Sequence, residues 1–188
     1  MTSTEGSATR VTRRRLGAVG AALVFVALAV WVLASAGRDD ATARSPLLGQ
    51  PAPAVVTTTT DGASFDLARR KGSWVVLNFF NSTCVPCIAE HPALVSFVGR
   101  EALRADGAEF YSVINDDSDT AVEDFFARRG GDWPRLRDDD GAIAVAFGVA
   151  KVPETWVIDP NGFVRLRILG AVNEGDLESR LDVLRGEQ

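Results

Sequence analysis

The feature that most limits the possible folds is a seven-residue run, Trp74–Phe80 (WVVLNFF), followed after three intervening residues by Cys84-Val85-Pro86-Cys87. A run of strand length that does not alternate polar and apolar residues is the pattern of a β-strand covered on both faces. The cysteines then open a helical pattern, from about Val85 to Leu103, with Leu94, Phe97 and Val98 at core spacing. A sheet covered on both faces requires helices on each side, so this stretch alone points to an α/β domain.

The remaining elements are consistent with that class. Val55–Thr60 is β-branched throughout and is followed by Asp61-Gly62 and Ser64–Leu67, which predicts a small hairpin. Glu109–Ile114 reads as a second buried strand. Ser118 or Asp119 offers an N-cap for a helix through Phe125, Phe126 and Arg129, stopped at Gly130-Gly131. Gly141–Phe147 suggests a short helix. Thr155–Ile158 and Phe163–Leu169 are strands joined by the turn Asp159-Pro160-Asn161-Gly162. A closing helix spans Asn173–Leu184, with Leu177, Leu181 and Leu184 on one face. Alternating strands and helices make part of the sheet parallel, and the late hairpin adds an antiparallel edge. The expectation is a mixed central sheet with helices on both faces.

The N-terminus is a separate matter. Arg10, Arg13, Arg14 and Arg15 precede Leu16–Ala36, 21 residues without a charged side chain. About 20 apolar residues cross a bilayer core, and the Arg cluster holds the start on the cytoplasmic side. The expected organisation is a cytoplasmic N-terminus over 1–15, a transmembrane anchor over 16–36, a Pro-containing linker over 37–53 and a folded domain over 54–188. Ala34-Ser35-Ala36 also fits a cleavage site, so a removed signal peptide is the competing reading. Retention is favoured because the run exceeds the usual signal core of about 7–15 residues.

Charge and residue counts exclude several classes. Residues 1–44 carry six Arg against three acids, net +3; residues 45–188 carry 14 Lys and Arg against 22 acids, net −8. An acidic domain without a basic stripe argues against nucleic acid as partner. With two Cys and one His, the chain falls short of the four ligands of a closed Cys/His zinc site. His91 lies four residues after Cys87 in the same expected helix, a poor position for the base of a cysteine hydrolase, and reads as a surface residue. Trp133, Phe125, Phe126 and Trp156 read as packing, and Asp138-Asp139-Asp140 as a solvated turn before Gly141.

Redox use of the thiol pair is the simplest reading. Backbone N–H groups at the start of a helix leave partial positive charge there, which stabilises a thiolate on Cys84 relative to the free value of about 8.5. Cys84 is then the attacking sulfur and Cys87, one turn deeper, the resolving one. Pro86 falls in the first turn, where its missing N–H costs nothing. A structural disulfide is the bland alternative for a bare C-x-x-C. The preceding strand, the following helix and Val152-Pro153-Glu154 ahead of another strand all weigh against it.

Two separated segments carry a family resemblance. NFFNSTCVPCIAEHP, residues 78–92, resembles the active-site stretch of the membrane-anchored thioredoxin-like proteins of the TlpA, ResA and DsbE/CcmG type. FGVAKVPETWVIDPNGFVRLRILG, residues 147–170, resembles their cis-proline region, and VPET is closest to the DsbE/CcmG branch. The similarity covers about residues 46–185 and implies a thioredoxin-like fold. It also implies that Cys84 is the nucleophile, that Cys87 is the resolving thiol and that Pro153 is a cis-proline facing them. Val152 is implied to pair with an extended substrate, and Glu90 to be the family's buried acid, able to move protons during exchange. Read from the residues alone, Glu90 is a solvated first-turn carboxylate favoured by the helix dipole. The family usually carries Trp where this chain has Phe80 and Thr83, so an aromatic shield beside Cys84 is missing.

The function expected is thiol–disulfide exchange outside the cytoplasm, chiefly as a reductant. The resemblance implies disulfide-bearing client proteins such as apocytochrome c as partners, with electrons from a membrane thiol donor and no cofactor. An oxidant role is the nearest alternative, since direction follows reduction potential. A Cu(I) chaperone on the same fold is a different class, because soft thiolates select Cu(I). It is disfavoured by the lack of any His after His91.

Overall fold

The computed structural model describes residues 44–186 together with Val24, Val26 and Leu28. The expected cytoplasmic segment 1–15 lies outside the described residues. So does the expected anchor 16–36, apart from Val24, Val26 and Leu28, which are helical and exposed. Among the described residues no helix is long and apolar enough to cross a membrane.

The elements run β1 (Val56–Thr58), β2 (Ser64–Asp66), a 3-10 turn (Leu67–Arg70), β3 (Val75–Phe80), α1 (Val85–Glu101), β4 (Glu109–Ile114) and α2 (Asp119–Arg129). They continue with β5 (Arg135–Leu136), α3 (Ala142–Phe147), β6 (Glu154–Ile158), β7 (Val164–Leu169) and α4 (Asp176–Arg185). β1 and β2 form the expected antiparallel hairpin. The central sheet has the order β5-β4-β3-β6-β7. β4 is parallel to β3 and β5, while β6 is antiparallel to both β3 and β7, giving the mixed sheet expected. β5 and the 3-10 turn carry too few residues to show a period, and sequence reasoning missed both.

β3 sits at the centre, and all six of its residues are buried. Its side chains alternate between two cores. Val76 and Phe80 pack with Leu94 and Phe97 of α1, Val122 and Phe125 of α2, and Leu177 and Leu181 of α4. Val75, Leu77 and Phe79 pack on the other side with Phe65, Ile143, Phe147 and Trp156. This period-two division is why the run showed no polar alternation: both faces are interior. Within the stretch expected as linker, Leu47 and Leu48 pack on the second core. Gly49 N–H donates to Val164 O at 2.8 Å and Ala52 N–H to Gly162 O at 2.9 Å, which binds this segment to β7 and its turn.

The antiparallel β3–β6 register positions the residues around the thiol pair. Phe79 stands opposite Glu154 and Asn78 opposite Thr155. The entry to β6 therefore lies beside the exit of β3, so Val152 and Pro153 arrive next to Cys84 although 68 residues of chain separate Val152 from it.

The acidic triplet corrects the solvated-turn reading. Asp139 and Asp140 are exposed, whereas Asp138 is buried. Its carboxylate accepts from Ile143 N–H and Ala144 N–H, each at 2.8 Å. α3 has Gly141 at its N-cap, with no side chain to cap it, so Asp138 satisfies two of the N–H groups left open at a helix start. Asp138→Ala is expected to lower the unfolding free energy by about 2–4 kcal/mol. Asp139→Ala should stay within about 0.5 kcal/mol. Urea denaturation of both variants measures the contrast.

Candidate active site

The chain leaves β3 through Asn81, Ser82 and Thr83, and side-chain hydrogen bonds hold this short loop. Asn81 Nδ2 donates to the carbonyls of Asn115 at 3.1 Å and Asp116 at 2.7 Å, which ties it to the loop after β4. Asn81 Oδ1 accepts from Thr83 N–H at 2.9 Å and Thr83 Oγ1–H at 2.7 Å. Asp117 Oδ2 accepts from Ser82 N–H at 2.6 Å. Sequence reasoning passed over Asn81 and Asp117, because the bonds by which they tie this loop to the segment after β4 span more than thirty residues and leave no local pattern.

Cys84 is the N-cap of α1, with extended backbone, and its Sγ accepts the Cys87 N–H at 3.3 Å. Pro86 lies in the first turn, as expected. Cys84 and Cys87 are joined as a disulfide with their Cα atoms 5.2 Å apart. Exposure separates their chemistry: Cys87 is 1% exposed, while Cys84 is only partly covered and adjoins exposed Thr83, Val85 and Pro86. An incoming sulfur can reach Cys84 and not Cys87.

The Val152–Pro153 peptide bond is cis. Cys84 Sγ lies 3.7 Å from the Val152 carbonyl oxygen. The fold thus brings both resemblance segments to one point, with the accessible sulfur facing the backbone just ahead of β6.

Glu90 is 2% exposed, which corrects the solvated-carboxylate reading made from the residues alone. Its Oε1 accepts from Asn78 Nδ2 at 2.9 Å and its Oε2 from the Val172 N–H at 2.9 Å. Burial pushes its ionisation up to about 7, and the two hydrogen bonds pull the other way. Asn78 was missed. The signal was present, since a polar side chain inside an otherwise apolar strand must find a buried partner.

His91 is 3% exposed rather than on the helix surface. Its Nε2 lies 2.9 Å from the Gly130 carbonyl oxygen. Its ring packs edge-on to Phe125 and Phe126, with centroids at 4.8 and 5.4 Å. Burial lowers its pKa from the ordinary value, so it is a neutral core residue that ties α1 to the end of α2. The expectation failed because a polar residue one place along from Glu90 gives no sign of the aromatic pocket that α2 supplies.

The chain that carries this site is similar to known proteins. The AhpC/TSA family model matches residues 48–167. The chain belongs to that family. It is 33% identical over 152 residues to the thiol:disulfide interchange protein HelX of Rhodobacter capsulatus, covering 80% of this chain and 77% of that one. It is 28% identical over 137 residues to the thiol-disulfide oxidoreductase ResA of Bacillus subtilis, covering 73% and 75%. Among solved structures, a thiol:disulfide interchange protein of the thioredoxin family from Chlorobium tepidum TLS matches with TM-score 0.64 and 26% identity, over 75% of this chain and 98% of that one. MTB dsbF matches with TM-score 0.63 and 25% identity, over 69% and 94%. The fold is thioredoxin-like and the protein is a thiol-disulfide oxidoreductase of the HelX and ResA type.

In this oxidoreductase the raised Glu90 value links stability to pH. A carboxyl whose folded value is above its ordinary 4.5 favours folding at low pH, and that contribution is lost as pH rises from about 4.5 to about 7. Relative to Glu90→Gln, which keeps a hydrogen-bonding head without titrating, the native protein should lose about 3 kcal/mol across that window. Denaturant midpoints of the oxidised proteins at pH 4, 6 and 8 give the comparison; parallel curves would contradict it.

Proposed function

We propose that this protein reduces disulfides of client proteins on the outer side of the membrane, with apocytochrome c as a client. Cys84 acts as nucleophile, Cys87 as resolving thiol, Glu90 as proton carrier and Val152-Pro153 as the client-binding backbone. The observation that carries the reading is the asymmetry of the pair: a reachable Cys84 sulfur capped by a helix N–H, and a buried Cys87 one turn behind it.

In the forward step the Cys84 thiolate attacks one sulfur of a client disulfide. A Cys84–client S–S bond forms, and the other client sulfur leaves as thiolate. Cys87 then gives up its proton, attacks Cys84 Sγ and expels the second client thiolate. The client gains two electrons, and the Cys84–Cys87 disulfide, the form seen here, is left behind. Glu90 lies three residues after Cys87, on the same side of α1, and a carboxyl ionising near 7 can take up and return that proton at neutral pH. Val152 offers its backbone to an extended client segment ahead of β6.

A membrane thiol donor restores the dithiol, and residues 16–36 tether the domain. The 33% identity to HelX and the wording of its name, an interchange protein, support the assignment to disulfide exchange. The reductive direction rests on the resemblance of VPET to the DsbE/CcmG branch. The measurable counterpart is a reduction potential: equilibration with glutathione should give a value below about −200 mV, and one near the −120 mV of a strong oxidant would reverse the direction.

Cys87→Ser removes the resolving thiol and should accumulate mixed disulfides on Cys84 in cells, with apocytochrome c among the trapped proteins. No adduct, or adducts formed equally well by Cys84→Ser, would overturn the assignment of roles.

A further inference from the structure

Asn78 is the polar residue of an otherwise apolar β3, and neither it nor its partner Thr155 has any exposure. Its amide nitrogen holds two acceptors at once, Glu90 Oε1 at 2.9 Å and Thr155 Oγ1 at 3.1 Å. Its amide oxygen, Oδ1, is buried and has no hydrogen-bond partner among the described residues. The Asn78–Thr155 pairing of β3 with β6 fixes this arrangement directly beneath the entry to the cis-proline.

In this arrangement the site suits an ionised Glu90. Both carboxylate oxygens receive an N–H, one from Asn78 and one from Val172. Protonation on Oε1 changes this, because the new O–H would then point at the Asn78 NH2, donor against donor. Turning the amide over resolves the conflict. Oδ1 then accepts from the Glu90 O–H, and the Thr155 hydroxyl rotates from acceptor to donor on the same oxygen. Two hydrogen bonds exist before and two after. No hydrogen bond among the described residues holds Oδ1 in its present place, so the reversal breaks no other bond while it turns the two amide N–H groups to that side.

We infer that Asn78 is a positioning residue for proton transfer, an amide that reverses with the protonation state of Glu90 and, with Thr155, keeps the buried carboxyl bonded in both states. The inference rests on the reading of Glu90 as proton carrier. Glu90 is hydrogen-bonded by the Asn78 amide from β3 and the Val172 N–H from the segment before α4, with Thr155 of β6 reached through Asn78, and Cys87, three residues earlier on the same side of α1, is the titratable group it serves. Burial and the bonds from Val172 and Asn78 set its ionisation, and among the described residues no charged group enters. His91, the next residue on α1, turns its ring into the aromatic cluster instead. A neutral two-way partner suits this site better than a fixed charge, because a cation there would hold Glu90 ionised and an anion would hold it protonated.

The test is an NMR titration of the full-length oxidised protein, following the Asn78 side-chain amide and the Glu90 carboxyl carbon from pH 5 to 9. The inference expects both signals to move with one midpoint. It also expects the contact between the Asn78 amide protons and the Thr155 side chain, present at high pH, to disappear at low pH. In Glu90→Gln the Asn78 amide should keep a single orientation throughout. A Glu90 carbon that titrates while the amide contacts stay unchanged overturns the inference and leaves the proton-carrier reading intact. If instead Glu90→Gln reduces client disulfides with the native rate and pH profile, the proton-carrier reading fails by itself. Asn78→Leu supplies a kinetic check. Loss of a two-way partner should lower the exchange rate at least several-fold on both sides of the pH midpoint. An upward shift of the midpoint by about one pH unit with unchanged limiting rates is the signature of a fixed donor and contradicts reversal.

Discussion

The first turn of a helix has backbone N–H groups that no carbonyl of that helix can reach, and in α1 one of them meets the Cys84 sulfur. This contact makes the rest of the structure intelligible. It needs a strand that ends abruptly at a helix start, and β3, buried on both faces, delivers the chain there. It needs a loop that does not drift, and Asn81 and Asp117 secure residues 81–83. It also needs a partner surface opposite the sulfur. The antiparallel β3–β6 pairing provides one by bringing Val152 and Pro153 alongside.

Buried polar groups in this domain divide into two kinds. Glu101 and Arg185 pair at 2.6 Å with side chains almost fully covered, and Glu154 pairs with Arg167 at 2.7 Å. In each the carboxylate faces a guanidinium, so its charge is met where it lies. Glu90 is as deeply covered, yet among the described residues the groups that bond to it are neutral donors. Burial without a counter-ion is the condition under which a carboxyl titrates near neutrality. The same depth of burial therefore gives structural salt bridges at two sites and, at the third, a carboxyl whose ionisation is pushed up to about 7.

Much of this was legible in the sequence where the signal is local. The run Trp74–Phe80, the C-x-x-C at a helix start and the turn Asp159–Gly162 each carry their meaning within a few residues, and the structure agrees. Glu90 and His91 show the opposite case. Both lie on α1 beside the thiol pair, and both were read from the residues as surface groups. Their burial is decided by α2, β3 and the segment before α4, which pack over them from elsewhere in the chain. Asp138 was misread for a different reason: its two N–H partners are local, but they belong to a short helix whose glycine N-cap leaves them open. For Glu90 the family resemblance supplied what residue-level reasoning could not.

Unequal reactivity of the two sulfurs is the property on which the function depends. Alkylation of the fully reduced protein with limiting iodoacetamide, resolved by site and followed across pH, measures it directly. Cys84 should react first, with half-maximal rate below the value of about 8.5 typical of a free thiol, while Cys87 stays protected at every pH. Cys84 following the free-cysteine curve, or Cys87 modified at a comparable rate, would contradict it.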